Sequence, residues 1–566
     1  MSMKNSFHID FIEQLQGGML HIEGYVIGDT DKVMARTVSG DVSFAPNGAK
    51  HTHETPQKDM MQVDVLSADI VVGTIDRLEF LDSTLRPMYI YANRYSGLGN
   101  LTGSYMKKNK RLYRKGRRAI VVRDGTKFRT ALYEILFLLR IIGHWRLTSA
   151  RYALYGKGRV ANRISKSILI LGEAVVTIPY ALLLRITARI YKAHKKHPIW
   201  LVSDRGAAAG DSGEAFFRHI SKQHSNDDYD IYFVLSKHSS DKSRIEQVGP
   251  VLDPGSFAYK LKFLLADKVI SSHADVEVTN PFLRHIDRYV DHYRFDFVFL
   301  QHGIIRNDLS GWLNRYEKNI SLFVTSAQRE YDSLLKYPYY YRPENILLSG
   351  LPRYDLLENN PHKKLILAPT YRKGLLRLRT NQYGARGYDN EFKTSEYFLF
   401  YNRLLTDKRL HVAMKTAGMT GEFYLHPNFA AQRRDFAKNN YITIPNYPYD
   451  YKRAFAEGTL LVSDYSSVVF DFAYLKKPIL YTHFDVETFF EGHTYTRGDF
   501  FSDEADGFGP VTYTYDDLVT QIIASIKDGC KMNKEYEERV DNFFKWHDRQ
   551  NSERVYQAIT RQQKEA

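Results

Sequence analysis

One cysteine, Cys530, stands in 566 residues. Disulfides within the chain are thereby excluded, as is a zinc site built on cysteines, and a reducing compartment fits. The first residues, MSMKNSFHIDFIEQ, lack an apolar core of signal-peptide type, so the expectation is a protein of the cytoplasm or of its membrane face. Several signatures are missing too: no GxxxxGKS/T, no HExxH, no GxSxG, no convincing GxGxxG, and no repeats or low-complexity tracts. Acids are scarce in one stretch. Between Met106 and His197 only Asp124, Glu134 and Glu173 oppose 23 Lys and Arg. The net charge of +14 therefore belongs to that segment, since the remainder has 56 basic and 62 acidic residues. General nucleic-acid binding, which wants basic grooves in the globular part, is disfavoured.

What is present divides the chain. A prior of roughly 150 residues per domain gives three or four folding units. Residues 1–104 read as a small β-sandwich-like domain: MLHIEGYVIGD, MQVDVLSADIVVGTI and PMYIYANRY are β-branched and aromatic runs broken by Gly, Asp and Asn. Residues 105–197 read as a basic helical membrane-association segment. It opens with KKNKRLYRKGRR (107–118) and continues into the apolar stretches at 131–147 and 167–191, bounded by Arg140, Arg146, Lys166, Arg185 and Lys195. Basic residues flanking apolar helices suit an anionic membrane interface. A packed helical subdomain and a true span at 167–186 are the competing readings, and Glu173 and Pro179 argue against the span.

From Pro198 the pattern becomes alternating strand and helix, the mark of parallel sheets covered on both faces. IWLVSDR, DIYFVLS, DKVISSH and FDFVFLQH form one series; KLILAPTYR, YITIP, TLLVSDYSS and KPILYTHFD continue it. The fold class expected is α/β with two Rossmann-like domains facing a cleft, at 198–358 and 359–566, the second ending in an amphipathic helix. Ligands of such sheets bind beyond the carboxyl ends of the strands, and the informative residues stand there. Ser466 and Ser467 open a helix after the strand TLLV, where hydroxyls and helix N–H groups suit a diphosphate; plain helix capping by Ser463 or Asp464 is the bland alternative. Asp471 lies one turn on, where a carboxylate could accept ribose hydroxyls. His302 follows a strand directly and precedes Gly303, and an imidazole there suits proton transfer. His426, before a Pro, and Arg353 and Arg372, each after a strand, are candidate phosphate contacts. Taken singly, each of these residues is more often structural.

Set, order and spacing change those odds. With QHGIIRNDLSGWLNR, GLPRYD, APTYR, HPN and SDYSSVVFDFAYLKKPILY in series, residues 198–550 resemble the CDP-glycerol glycerophosphotransferases: the teichoic-acid primases and polymerases and their capsule-synthesis relatives. EGHTYTRGDFFSDEADGFGPV is similar to the end of that family's nucleotide domain, and the basic segment looks like its membrane-association region. The family's commoner first motif is WHG followed by Thr-Pro; here it is Gln301-His302-Gly303-Ile304-Ile305, which looks like a capsule-type branch. Tyr371 stands where a Trp is usual.

The resemblance implies a GT-B fold and a transferase of the cytoplasmic membrane face, held peripherally on an anionic surface. Its donor would be CDP-glycerol or CDP-ribitol, its acceptor a polymer or lipid-linked hydroxyl, its product CMP. It implies His302 as general base or transition-state donor at the attacking hydroxyl, His426 at the diphosphate and departing CMP, and Gln301, Gly303, Ile304, Ile305, Arg353, Thr370, Arg372, Ser466, Ser467 and Asp471 as donor contacts. Asp204, Arg205 and Asp211, at the end of the first strand, are weaker candidates for the acceptor side, as are Asp275 and Glu277. No cofactor or metal is expected to be required, because no DxD-type motif stands out beyond Asp228-Tyr229-Asp230 in a polar loop. A nucleotide-sugar glycosyltransferase of the same fold and an inactive membrane-bound scaffold are the competing functions. The polyol, the acceptor and the oligomeric state are not legible.

Overall fold

The short apolar runs after residue 198 become strands because they carry β-branched and aromatic side chains without alternation, a pattern that suits a strand covered on both faces. The computed structural model describes residues 5–14, 19–30, 32–37, 39–54, 60–72, 75–92, 104–107, 110–115, 119–124, 160–225, 227–289, 292–293, 295–318, 320–336, 339, 341–376, 387–446, 449–489 and 500–565.

The N-terminal strands are β1 (Ser6–Gln14), β2 (Leu20–Ile27), β3 (Met34–Thr37), β4 (Gly40–Ser43), β5 (Ala45–Glu54), β6 (Met60–Ile70), β7 (Ile75–Leu81), β8 (Tyr89–Ala92), β9 (Ser104–Lys107), β10 (Lys110–Lys115) and β11 (Ala119–Asp124). They form two sheets, β5-β6-β2-β1-β8 and β4-β3-β7-β11-β10-β9. Phe7, Ile22 and Ile70 of one sheet meet Leu78, Phe80 and Ile120 of the other in a shared core, the sandwich that the sequence predicts. Buried Glu23 accepts from Arg315 and Arg342 and so ties the sandwich to the body.

The boundary expected after residue 104 needs correction. The run 107–118 contributes Lys107 to β9 and Lys110–Lys115 to β10, which pairs with β11. The neighbouring Ala-Ile-Val-Val is the cause: Leu112 is in register with Val122 and Tyr113 with Val121 in the ladder, and strand propensity outweighs the charge pattern. The apolar stretch 131–147 lies outside the described residues. The later one, at 167–191, forms a helix, Val160–His194, with Pro179 inside it. Ala181, Leu184 and Ala188 pack toward helix Phe257–Leu265, and the buried Arg185 donates to the Arg288 carbonyl at 2.6 Å. Ile168, Val175, Val176, Leu183, Ile186 and Ile190 face outward. Among the described residues no helix is long and apolar enough to cross a membrane.

The body holds two parallel sheets. The first has β12 (Ile199–Ser203), β13 (Asp230–Val234), β14 (Val251–Leu252), β15 (Lys268–Ser271), β16 (Asp296–Phe299), β17 (Ile320–Thr325) and β18 (Ile346–Leu348), in the order β14-β13-β12-β15-β16-β17-β18. The second has β19 (Lys364–Leu367), β20 (Thr420–Phe423), β21 (Ile442–Thr443), β22 (Gly458–Ser463), β23 (Ile479–Thr482) and β24 (Val511–Thr512), in the order β21-β20-β19-β22-β23-β24. In both, the chain starts in the middle, runs to one edge, and returns to the other side of the first strand. The switch points therefore fall between β12 and β15 and between β19 and β22, where doubly wound sheets bind ligands.

The final helix, Asn551–Glu565, does not stay with the second domain, to which the sequence reading assigns it. Val555 and Ile559 are buried in one cluster with Trp200, Phe216 and Phe217 of the first domain. The crossing is held by Trp546 Nε1 on the Leu348 carbonyl at 3.0 Å, and by Asp355, which accepts from the backbone N–H groups of Asn551 and Ser552.

Candidate active site

At the first switch point β12 ends in Asp204 and Arg205. Asp204 is buried and accepts from the N–H groups of Asp211, Gly213 and Glu214 and from the Ser272 hydroxyl. It thus ties the loop 204–213, the start of helix Ser212–Gln223 and the end of β15 together. Burial, with Asp211 nearby, pushes its carboxyl up to about 7. Gly213 is required here, because a Cβ would meet the Ser203 carbonyl at 2.3 Å. Asp204 is a structural anchor beneath the site; Asp211 and Arg205 reach the site itself. Arg205 Nε donates to Nε2 of His273 at 2.8 Å, and the His273 ring lies 4.6 Å from that of His302.

His302 follows β16 through Gln301, which has φ of +60°. That turn sends the two side chains opposite ways. Gln301 points inward and donates to the Val324 carbonyl at 2.6 Å and to Glu330 at 3.0 Å. Glu330, fully buried, also accepts from the N–H groups of Ile305 and Ser326, and burial pushes its carboxyl up to about 7. Ile304 and Ile305 are core residues. Gln301, Ile304 and Ile305 therefore brace the loop from below, and their side chains do not line the cleft. The His302 ring faces solvent within the cleft, ringed by protein. Desolvation is the main cause that lowers its pKa; Arg205 and Arg353 add to it, and Asp211 and Asp275 oppose it. The shift favours the neutral imidazole, the form able to take a proton.

Arg353 follows β18 through Gly350, whose φ of +81° and close approach to the Asn551 side chain leave no room for a Cβ. Its guanidinium donates to the His302 carbonyl, to Asp211 at 3.3 Å and, across the cleft, to Asp471. Gly303 lies on the same boundary: a Cβ there would meet Ser467 Oγ of the second domain at 2.7 Å. Two further ion pairs cross between the domains, Arg306 with Asp503 at 2.5 Å and Arg329 with Asp506 at 2.5 Å.

At the second switch point Thr370 and Arg372 follow β19, His426 follows β20, and Ser466 and Ser467 follow β22. These strands are neighbours, so the residues share one crevice. Asp464 does not cap the helix; it accepts from the Thr370 N–H at 2.8 Å and pairs with Arg372. Ser467 occupies the cap position of helix Val468–Tyr474 and makes no side-chain cap bond. Its hydroxyl stands against Gly303. His426 Nδ1 accepts the Asn428 N–H at 3.1 Å, which puts the proton of the neutral ring on Nε2. The ring lies 4.7 Å from Tyr371.

Two expected donor contacts face inward. Arg372 is buried, held by Asp485 and Asp464 among Tyr397, Tyr465 and Phe489. Asp471, expected at the ribose, is buried on Arg353, and burial pushes its carboxyl up to about 6 despite that partner. Sequence reasoning missed His273, Arg306, Glu330 and Asp503. It passed over Lys477 in the late motif, whose buried ammonium donates to the carbonyls of Phe455, Ala456 and Gly458 at the end of helix Tyr451–Glu457.

Two sheets of Rossmann order with their switch points turned to one cleft, bridged by Arg353 on Asp471 and by Gly303 against Ser467, define a two-domain body of the GT-B class. The chain belongs to the CDP-Glycerol:Poly(glycerophosphate) glycerophosphotransferase family, whose model matches residues 184–561. The minor teichoic acid biosynthesis protein GgaB of Bacillus subtilis (strain 168) is 39% identical over 383 residues, 68% of this chain and 42% of that protein. The teichoic acid poly(ribitol-phosphate) polymerase of Bacillus spizizenii is 26% identical over 237 residues, 39% of this chain and 34% of that protein. The chain thus spans less than half the length of these relatives. Among solved structures, the wall teichoic acid polymerase TagF matches with a TM-score of 0.47 at 15% identity, over 72% of this chain and 99% of that one.

Proposed function

We propose that the chain transfers glycerol phosphate or ribitol phosphate from a CDP-linked donor to a hydroxyl of a teichoic-acid- or capsule-like acceptor, polymeric or lipid-linked, and releases CMP. One observation supports this reading: Gly303, next to His302 on a loop clamped by Arg353, abuts Ser467 of the second switch point across the cleft, in a chain whose residues 184–561 match the family. Neutral His302 takes the proton of the acceptor hydroxyl. The hydroxyl oxygen attacks the β-phosphorus, a new P–O bond forms, and the bond from that phosphorus to the CMP oxygen breaks. His426, with its proton on Nε2, donates to the diphosphate and to the departing CMP. Thr370, Ser466, Ser467 and Arg353 offset the phosphate charge. Phosphoryl transfer rests mainly on such positioning and charge stabilisation. Asp204, Asp471 and Arg372 act one layer below, as positioning residues.

The outward apolar face of helix Val160–His194, with exposed Lys192 and Lys196 near its end, supports peripheral docking on an anionic membrane surface. The test of the activity is CMP release from CDP-glycerol and from CDP-ribitol with oligomeric or lipid-linked acceptor, beside a His302→Ala control. Acceptor-dependent CMP release that the control lacks supports the reading, and the preferred donor names the polyol. Release from neither donor, with an acceptor of known competence, sends the function to nucleotide sugars.

A further inference from the structure

Away from the cleft, helix Ser212–Gln223 and the final helix meet at a second polar cluster. Nε2 of His219 and Nε2 of His224 each lie 2.8 Å from a single oxygen, Oε2 of Glu553. The other ring nitrogen of His224, Nδ1, faces Asp227 Oδ2 at 3.2 Å. The Tyr556 hydroxyl donates to that same Asp227 oxygen, and the Tyr556 ring stacks on His224 with centroids 3.7 Å apart. Gln557 Nε2 occupies the second oxygen of Glu553 at 2.9 Å.

Two imidazole nitrogens thus converge on one carboxylate oxygen, and a second carboxylate, Asp227, stands behind His224. Imidazole and carboxylate donors in this arrangement suit one dication. The donor atoms lie within 4.8 Å of one another. A tetrahedral ion with bonds of about 2.0–2.2 Å wants donors about 3.3–3.6 Å apart, so side-chain rotation that opens the two imidazole–carboxylate distances by about half an ångström or more and closes the widest donor spacing by up to about 1.5 Å admits it. All three side chains are partly exposed, and water completes the shell. Asp227 supplies the outer carboxylate that fixes a ligating imidazole's tautomer.

We propose that His219, His224 and Glu553 bind one divalent transition-metal ion, zinc foremost, as a structural clip that fastens the final helix to the first domain. The clip sits behind the catalytic loop. Helix Ser212–Gln223 begins at Asp211, which accepts from Arg353, and the final helix begins at Asn551, which packs on Gly350. Metal held between the last turn of helix Ser212–Gln223 and the first turn of the final helix braces the turn that carries Arg353.

The test uses the full chain without a histidine tag, stripped with chelator and dialysed. Zn²⁺ is titrated with bound metal measured by mass spectrometry, and Co²⁺ serves as an absorption probe of imidazole ligation. The expected result is one equivalent of Zn²⁺, a raised Tm, and a Co²⁺ spectrum of four- or five-coordinate type. His224→Gln and Glu553→Gln lose the stoichiometric ion, and Asp227→Asn weakens binding about 10–100-fold, as removal of an outer-shell partner does. Less than a tenth of an equivalent in the wild type overturns the proposal, as does binding that survives in both ligand variants. If the variants fail to fold, the wild-type Co²⁺ spectrum decides alone, and a six-coordinate aquo-type spectrum overturns the clip.

Discussion

Arg353 of the first domain reaches across the cleft to the buried carboxylate of Asp471 in the second, while a second nitrogen of the same guanidinium holds the backbone of His302. One side chain therefore sets both the distance between the domains and the position of His302. Loss of either partner leaves a buried, uncompensated charge, a change that costs about 3–5 kcal/mol in comparable pairs. Asp471→Ala and Arg353→Ala should each lower Tm clearly and abolish measurable CMP release. Arg353→Lys should retain more stability than Arg353→Ala without restoring activity, because a single ammonium does not reproduce the planar fork that spans both partners. Thermal unfolding measured beside CMP release checks both halves.

The depressed pKa of His302 fixes the sign of a pH dependence. With His302 as the proposed base, neutral above its pKa, kcat/KM should climb on the acid side and level off below the ordinary histidine value. Arg205 is one of the cations holding that pKa down. Arg205→Gln should therefore move the acid limb to higher pH. A limb that stays in place or moves to lower pH contradicts the assignment of His302 as base.

Glu330 offers a stability test. Its folded pKa, about 7, lies above the ordinary carboxylate value, so below that pH the folded state takes up a proton that the unfolded chain releases until pH reaches the ordinary range. Relative to Glu330→Gln, which does not titrate, the wild type should gain stability as pH falls from about 7 to about 4.5. At neutral pH the glutamine variant sets an amide N–H against N–H donors already in place, at a cost of about 1–3 kcal/mol. Urea unfolding across pH reads both effects, and activity should fall with the misplaced His302 loop.

Gly303→Ala puts a methyl group against Ser467 Oγ. The clash lies on the boundary between domains and not in a core, so Tm should hardly change. A displacement of about 1 Å at reacting groups costs on the order of 10²-fold in rate, and kcat should fall by about that much. A normal kcat would mean the domains do not need this close approach in turnover.

Replacing Val175, Val176 and Leu183 with serine should leave folding intact, since all three face outward. Flotation with anionic vesicles should fall sharply, and CMP release with soluble acceptor should hold. Unchanged flotation would remove this face from the membrane contact.

The sequence made the strand ends legible, because a buried parallel strand has no alternation and stops abruptly where polar residues begin. The places of His302, Arg353, His426 and Ser467 beyond strand ends were readable for that reason. Partners arriving from distant strands were not. Glu330 lies 29 residues beyond the Gln301 that it holds, and Glu553 lies 334 residues beyond His219, so no local spacing announces either. Arg372 reads as a phosphate clamp until Asp464 and Asp485 are known to enclose it. The basic run at 107–118 reads as a helix's flank because charge is visible in a sequence and ladder pairing is not.

The chain passes between the two parallel domains twice, once after Leu357 and again between Phe543 and Asn551, and the two passages lie side by side where Asp355 holds Asn551 and Ser552. Bodies joined at two adjacent points have little freedom to twist or slide. They turn like a door on paired hinges, about the line through the passages. Arg353, two residues from Asp355, stands beside that line with Asp471 as its partner across the cleft, so one angular coordinate sets this contact and the approach of Gly303 to Ser467 together.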